Sequence, residues 1–238
     1  MKSRSAFIAL LMLLMNLPLA GQVVRIASLS ELNYTPRLVL FDDASDRSQA
    51  LYERMQELAT KTDVVTFYVI NLDELSEEDR QKAREWSVDT PSMLYILWDF
   101  LEDGITLNPD FNAELLDELV EDMESMSQGI ELYRDNKTKK AMRIFKKVFG
   151  TDRLFAPEAA YFVGLCYQKQ GDFDAASNYY SEAAHRGVAD ACYNLGYYYE
   201  TGQTSAGVRL EMACMMYEKA ARQGHERAII RLSTLRGN

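Results

Sequence analysis

The stretch Ala183-Ala184-His185-Arg186-Gly187 decides the fold of the second half of the chain, because it returns thirty-seven residues later as Ala220-Ala221-Arg222-Gln223-Gly224. In both copies a tyrosine stands before the alanine pair, and a glycine and tyrosine cluster lies further upstream. Each unit therefore contains two helical patterns. Recurrence at this period predicts stacked helical hairpins, an architecture that typically binds other proteins.

Small and aromatic residues recur within the units at the spacing of tetratricopeptide hairpins. In the repeat that ends at Gly187 they are Gly164, Tyr167, Ala176, Tyr180 and Ala183, with Gly171-Asp172-Phe173 as the turn. In the repeat that ends at Gly224 they are Ala191, Leu195, Gly196, Tyr199, Ala213, Tyr217, Ala220 and Gly224. The turn of the repeat that ends at Gly224, from Gly202 to Val208, is longer, and this repeat resembles Sel1-like repeats. It departs from them by an extra turn residue and by Leu210 where an acid is common.

Two further repeat units flank this pair. Gly129 and Ala141 precede Gly164 and Ala176 by thirty-five residues, which predicts an eroded first hairpin over about 111 to 149. Ala228 lies thirty-seven residues after Ala191, which predicts one closing helix from His225 to Leu235. A short solenoid needs such a cap.

The resemblance to these families implies a small right-handed superhelix in which the first helix of each hairpin lines a concave face. Eight side chains then point into this groove: Arg134, Tyr161, Gln168, Lys169, Tyr193, Tyr197, Glu200 and Arg227. Tyrosines mixed with a few charges suit recognition of a protein or peptide. Each tyrosine taken singly also fits the aromatic core of a repeat. The partner's identity and the oligomeric state stay open.

The first half shows strand and helix patterns in alternation. Strands are predicted at 23–26, 38–41, 64–70, 93–98 and 105–107, with helices at 49–59, from Ser76, and from about Asp110. This order, with Val88-Asp89-Thr90-Pro91-Ser92 before a long strand, resembles the thioredoxin-like superfamily over roughly 23 to 124. The resemblance implies a cis Pro91 and a groove at Thr90 and Pro91 that holds an extended peptide. The alternative is that this domain only positions the repeats.

The thioredoxin-like resemblance stops at the redox site. Where the family has its cysteine pair, this chain has Asp46-Arg47-Ser48-Gln49. Disulfide exchange needs a thiolate, so the sequence excludes redox catalysis by this domain. The predicted fold class is thus an α/β thioredoxin-like domain at 22–110, whose last helix extends to about 124, followed by all-α repeats at 111–238.

The N-terminus has the order of a secretory signal. Met1-Lys2-Ser3-Arg4 is followed by an apolar stretch from Ala6 to Leu14 and by breakers from Asn16 to Gly21, so a signal peptide is predicted at 1–21. An uncleaved anchor is the alternative, but the stretch is shorter than the roughly 20 residues that span a bilayer. We therefore expect an exported, periplasmic protein with no integral membrane segment after cleavage and a partner in the cell envelope.

Charge and composition narrow the function further. A net charge of −10 repels nucleic acid and anionic lipid. Thirteen acids and no Lys or Arg lie between Glu85 and Glu131, and a basic run from Arg134 to Lys147 follows. These are either two helices with solvated faces of opposite charge or a docking surface for a charged partner.

The residues of catalysis and metal binding are missing. His185 and His225 are the only histidines, and the chain has no metal-ligand spacing, no Gly-x-Ser-x-Gly motif and no phosphate-binding loop, so we predict no enzyme, metal or cofactor. Three cysteines lie in the repeats. Either all three are buried thiols that act as small hydrophobic residues, or Cys166 and Cys192 form a disulfide. The preferred function is a binding adaptor. The alternatives are a holdase chaperone for unfolded clients and, remotely, a thiol oxidoreductase that uses the repeat cysteines.

Overall fold

The computed structural model describes residues 21–32, 36–88, 93–98, 101, 104–107 and 111–237. The chain divides into two compact units, Met1–Glu124 and Ser125–Asn238. The predicted cis Pro91, the predicted groove at Thr90 and Pro91, and residues 1–20 of the predicted signal peptide lie outside the described residues.

The first unit contains a mixed five-stranded sheet. Its strands are β1 (Val23–Arg25), β2 (Arg37–Asp42), β3 (Thr66–Asn71), β4 (Met93–Leu97) and β5 (Ile105–Leu107). Their order is β1-β3-β2-β4-β5, with β1, β3 and β2 parallel and with β4 antiparallel to both β2 and β5. In the central strand β2, Val39 pairs with Tyr68 on one side and Tyr95 on the other. The run Leu38–Phe41 is fully buried, as its continuous apolar sequence predicts.

Two helices follow strands of this sheet. They are α1 (Asp46–Ala59) and α2 (Glu77–Glu85), and each begins after a serine whose side chain accepts a backbone hydrogen bond, Ser45 for α1 and Ser76 for α2. Leu51, Met55 and Leu58 recur at helical spacing on α1 and are buried. The predicted β-α-β unit is therefore present.

The second half of the chain is helical. Its helices are α3 (Leu115–Arg134), α4 (Thr138–Phe149), α5 (Ala156–Lys169), α6 (Phe173–His185), α7 (Ala189–Thr201), α8 (Leu210–Ala221) and α9 (Glu226–Gly237), and the division between the units falls within α3. From α4 onward each helix packs against the next one along the chain. The unit is a stack of helical hairpins closed by a single helix, as the repeats predicted.

Close contacts between glycine and an aromatic ring join the two helices of each hairpin. A Cβ added to Gly164 would lie 2.5 Å from Tyr180, and one added to Gly196 would lie 2.7 Å from Tyr217. Both rings are fully buried. In the first hairpin Gly129 meets Phe145 in the same way, at 2.5 Å, so its erosion in sequence spares this contact.

The repeated Ala-Ala motif forms the end of the second helix of a hairpin. Gly187 and Gly224 have φ of +101° and +86°, in the left-handed region that favours glycine. The residue after each glycine donates its backbone N–H to the carbonyl oxygen of the first alanine of the pair. Val188 donates to Ala183 at 3.0 Å, and His225 donates to Ala220 at 3.2 Å. The sequence repeat is thus a recurring helix C-cap.

Candidate protein-binding face

The hairpins contain two classes of helix, first helices (α3, α5, α7 and α9) and second helices (α4, α6 and α8). All eight predicted groove residues lie on first helices. They differ in exposure: Arg134, Gln168, Lys169 and Arg227 are exposed, Tyr161, Tyr197 and Glu200 are half-buried, and Tyr193 is buried. We refer to this set, which presents both charge and aromatic surface, as the first-helix face.

Cation–aromatic contacts link neighbouring first helices. Lys169 on α5 places its ammonium 4.5 Å from the ring centroid of Tyr133 on α3 and donates to the Tyr133 carbonyl at 3.3 Å. Arg227 on α9 covers the ring of Tyr193 on α7 at 4.4 Å. Such contacts contribute about 0.5–1 kcal/mol each at exposed sites and hold long side chains in one orientation.

Gln168 and Glu200 accept hydrogen bonds from buried tyrosines. The hydroxyls of Tyr180 and Tyr198 donate to Gln168 Oε1 at 2.6 and 2.9 Å, and the Tyr217 hydroxyl donates to Glu200 Oε2 at 2.7 Å. Burial raises the pKa of Tyr198 to about 12, so the phenol keeps the proton that it donates. These two groove residues therefore join the first-helix face to the core.

Tyr193 contributes chiefly to packing between α7 and the helices after it. Only 7% of this residue is exposed, its ring stacks on His225 at 4.7 Å, and it contacts Tyr217 at 5.6 Å. His225 is itself buried; its Nδ1 lies 3.2 Å from the Ala228 N–H, which donates to it. Of the predicted groove residues, Tyr193 offers a partner the least surface.

The prediction from sequence missed three side chains of the first helices. Tyr133 supports Lys169 as described. Burial, and then the nearby Asp190, raise the pKa of the half-buried Tyr161, whereas Asn194 acts to lower it. A signal existed for Tyr133, because it follows Gly129 by four residues just as Gln168 and Glu200 follow Gly164 and Gly196. Asn194 and Asp190 have no such recurring signal.

In the first unit, a polar network occupies the start of α1, where the thioredoxin-like resemblance would place a cysteine pair. The Ser48 hydroxyl donates to Asp42 Oδ1 at 2.7 Å, and the Ser45 hydroxyl donates to Asp43 Oδ1 at 2.7 Å. Arg47 donates to the Phe111 carbonyl at 2.7 Å. These side chains are hydroxyls, carboxylates and a guanidinium, and none of them can exchange a disulfide.

The three cysteines are free thiols, and the predicted alternative of a Cys166–Cys192 disulfide is not formed. Cys166 and Cys192 are buried, whereas Cys214 is half-buried. Burial raises the pKa of Cys166 to about 11 and also raises that of Cys192. Among the residues that the structure describes, no cluster of His, Cys, Asp and Glu could hold a metal ion, and no helix has the length and apolar character needed to cross a bilayer.

Comparison with known proteins shows a partial likeness to solved structures. No protein-family model matches the chain, and no curated protein matches it. A solved structure that matches is that of a Sel1 repeat protein from Oxalobacter formigenes. The two are 32% identical, the match covers 46% of this chain and 45% of that chain, and the TM-score is 0.41. This chain thus spans less than half the length of that protein.

Proposed function

We propose that this protein is an exported, periplasmic, non-enzymatic adaptor whose Sel1/tetratricopeptide-like repeats bind a protein or peptide. The observation that carries the proposal is the first-helix face. Its exposed cations, half-buried tyrosines and hydrogen-bonded acceptors lie on successive first helices of the stack. Arginine and tyrosine are among the side chains that are enriched at the energetic hot spots of protein interfaces.

Preorganisation supports a binding role for this face. Gln168 is held by two tyrosine hydroxyls and Lys169 by the Tyr133 ring and carbonyl. A side chain that is already ordered loses less entropy when a partner binds. The contacts therefore favour a partner of defined sequence over a chaperone's varied clients, which adaptable surfaces suit better.

The first unit fits the proposal as a thioredoxin-like domain without redox activity. The order β1-β3-β2-β4-β5, with β4 antiparallel to β2, agrees with that resemblance. Ser45 and Ser48 lie near the start of α1, where a redox domain would need thiols. Thiol chemistry by the repeats is also disfavoured, because burial keeps Cys166 and Cys192 in the protonated, unreactive form.

The test compares two variants of the tagged full-length protein, crosslinked in the cell envelope and analysed by mass spectrometry. Arg134→Ala/Lys169→Ala alters the first-helix face, and Glu211→Ala/Arg222→Ala alters exposed positions on and just after α8. We expect a small set of stoichiometric partners that is lost only with the first variant. A long list of unrelated clients, captured by both variants, would show a holdase chaperone and reject the adaptor.

Export is tested separately by fractionation. The proposal expects the chain in the periplasmic fraction with a mature N-terminus near Ala20 or Gly21, determined by N-terminal sequencing. Retention of residues 1–20 on a cytoplasmic chain would reject this part of the proposal and leave the adaptor role to be judged by the crosslinking result.

A further inference from the structure

Helix α4 has charges of the wrong sign for its position. A helix N-terminus favours acids, and eight of the nine helices that the structure describes have an acid in their first turn. The exception is α4, which has Lys139 and Lys140 there and no acid anywhere along its length. The preceding residue, Lys137, makes no side-chain cap.

The basic residues of α4 lie on one exposed side of the helix. Ala141, Phe145 and Val148 are buried on the opposite side. Lys139, Lys140, Arg143, Lys146 and Lys147 are all exposed. Residues four apart are separated by about 6 Å along a helix. We call the exposed set Lys139, Lys140, Arg143 and Lys146 the basic face.

No carboxylate neutralises the core of this face. Lys139, Lys140 and Arg143 form no ion pair within the described part of the chain. Lys146 is fixed by neutral groups: it donates to the Tyr167 hydroxyl at 2.8 Å and lies 5.0 and 5.6 Å from the ring centroids of Tyr167 and Tyr179. The Lys146 ammonium of the basic face is thus held in one orientation beside two aromatic rings.

This arrangement weakens α4 as an isolated element. Like charges three and four residues apart repel, and cations in the first turn oppose the helix dipole. Residues that destabilise their own helix and gain no compensating contact in the fold are characteristic of functional sites. Here a partner of opposite charge would relieve the repulsion when it binds.

We propose that the basic face of α4 is a docking surface for an acidic segment of a partner protein. Outside α4, residues 125–238 contain eleven Lys and Arg and twelve Asp and Glu, so beyond this one helix the unit offers no net attraction to an extended polyanion such as nucleic acid or an anionic membrane. A short acidic segment contacts the basic face alone. The surface lies on a second helix, so it is separate from the first-helix face.

The experiment measures binding of a fluorescent peptide by anisotropy. The probe is an Ala-rich peptide of about four helical turns with Glu at three- and four-residue spacing, and a Gln version is the control peptide. We expect the Glu peptide to bind the full-length protein at about 0.05 M NaCl and to be released as the salt approaches 0.5 M, because screening shortens the reach of exposed charges. The Gln peptide should not bind.

Two triple variants locate the binding surface. Lys139→Gln/Lys140→Gln/Arg143→Gln should weaken binding roughly tenfold or more. Lys61→Gln/Arg209→Gln/Arg222→Gln removes the same charge from other exposed positions and should leave the affinity within about twofold. An equal loss in both variants would overturn the proposal, because binding would then follow net charge alone.

A charge reversal separates binding from folding. Lys139→Glu/Lys140→Glu should abolish peptide binding while raising the melting temperature, because acids are favoured in the first turn. A lower melting temperature would show that the lysines stabilise the fold and would overturn the argument. Tighter binding to vesicles of anionic phospholipid than to the peptide, or self-association lost in this variant, would also reject an acidic protein partner.

Discussion

Gly164→Ala tests the contact on which the hairpins depend. The added Cβ would lie 2.5 and 2.6 Å from two ring carbons of Tyr180, well inside the ordinary contact distance. The ring cannot easily retract, because it is fully buried and its hydroxyl is hydrogen-bonded to Gln168 at 2.6 Å. Either the helices separate or the ring shifts and loses that hydrogen bond.

The size of the effect follows from two opposing contributions. Overpacking a well-packed core costs about 1–3 kcal/mol, and loss of the hydrogen bond adds about 1 kcal/mol. Alanine in place of a helical glycine returns about 1 kcal/mol. The expected result is a net decrease of about 1–3 kcal/mol in the free energy of unfolding, although most Gly→Ala changes within helices stabilise.

Urea unfolding followed by circular dichroism measures this change, and hydrogen exchange of the α5 and α6 amides assigns it to the hairpin. Gly150→Ala is the matched control, because φ there is −69° and the nearest atom to a new Cβ is 3.3 Å away. Its effect should stay within about 0.5 kcal/mol.

A double-mutant cycle then isolates the pair. In a Tyr180→Leu background the offending ring carbons are gone, so Gly164→Ala should cost much less than it does in the natural chain. The reasoning is refuted if Gly164→Ala is as stable as Gly150→Ala, or if its cost is unchanged in the Tyr180→Leu background.

Three further predictions concern a tyrosine hydroxyl, a buried carboxyl group and the cysteine thiols. Tyr180→Phe should lower the free energy of unfolding by about 1 kcal/mol in a urea titration, because it removes a hydrogen bond and keeps the ring. Glu158→Gln should stabilise the protein at neutral pH: burial raises the pKa of Glu158, whose Oε2 has no hydrogen-bond partner, so the folded carboxyl holds its proton more tightly than the unfolded one and stability falls as the pH rises. The advantage of Gln should disappear on acidification, and thermal melts across that pH range would show it. Cys214 should react first with a thiol reagent in the folded protein, before the buried Cys166 and Cys192, as peptide mapping would reveal.

The hairpins were predictable from sequence because the residues that touch are the residues that recur. Gly164 and Tyr180, or Gly196 and Tyr217, are the two sides of one contact, because the glycine leaves room for the ring. The same logic located the first hairpin from Gly129, although its first helix has no aromatic residues at the positions where the later first helices repeat them. Strand β2 was predicted for a different reason, since a run of four apolar residues between turns is too short for a typical helix and is typical of a strand covered on both faces.

The details of the first-helix face could not be read in this way. Whether Tyr193 points to the groove or to the core depends on how α7 and α9 pack, and this is not encoded in the spacing within one helix. The longer turn after α7 shows the same limit. The Ser205 backbone N–H and hydroxyl both donate to Asp174 Oδ1 at 2.9 Å. These residues are thirty-one positions apart, and no local sequence pattern predicts their contact.

The contacts between hairpins connect stability to binding. A stack of repeats is stabilised by each unit and by the interfaces between neighbours. Two of those interface contacts, Tyr198 with Gln168 and Arg231 with Glu200, involve residues of the proposed first-helix face. A partner that spans α5 and α7 would therefore hold together the hairpins that these contacts join. Binding should then raise the melting temperature as the partner concentration increases, whereas a partner confined to the basic face of α4 should protect mainly α4 and its neighbour α5 from hydrogen exchange.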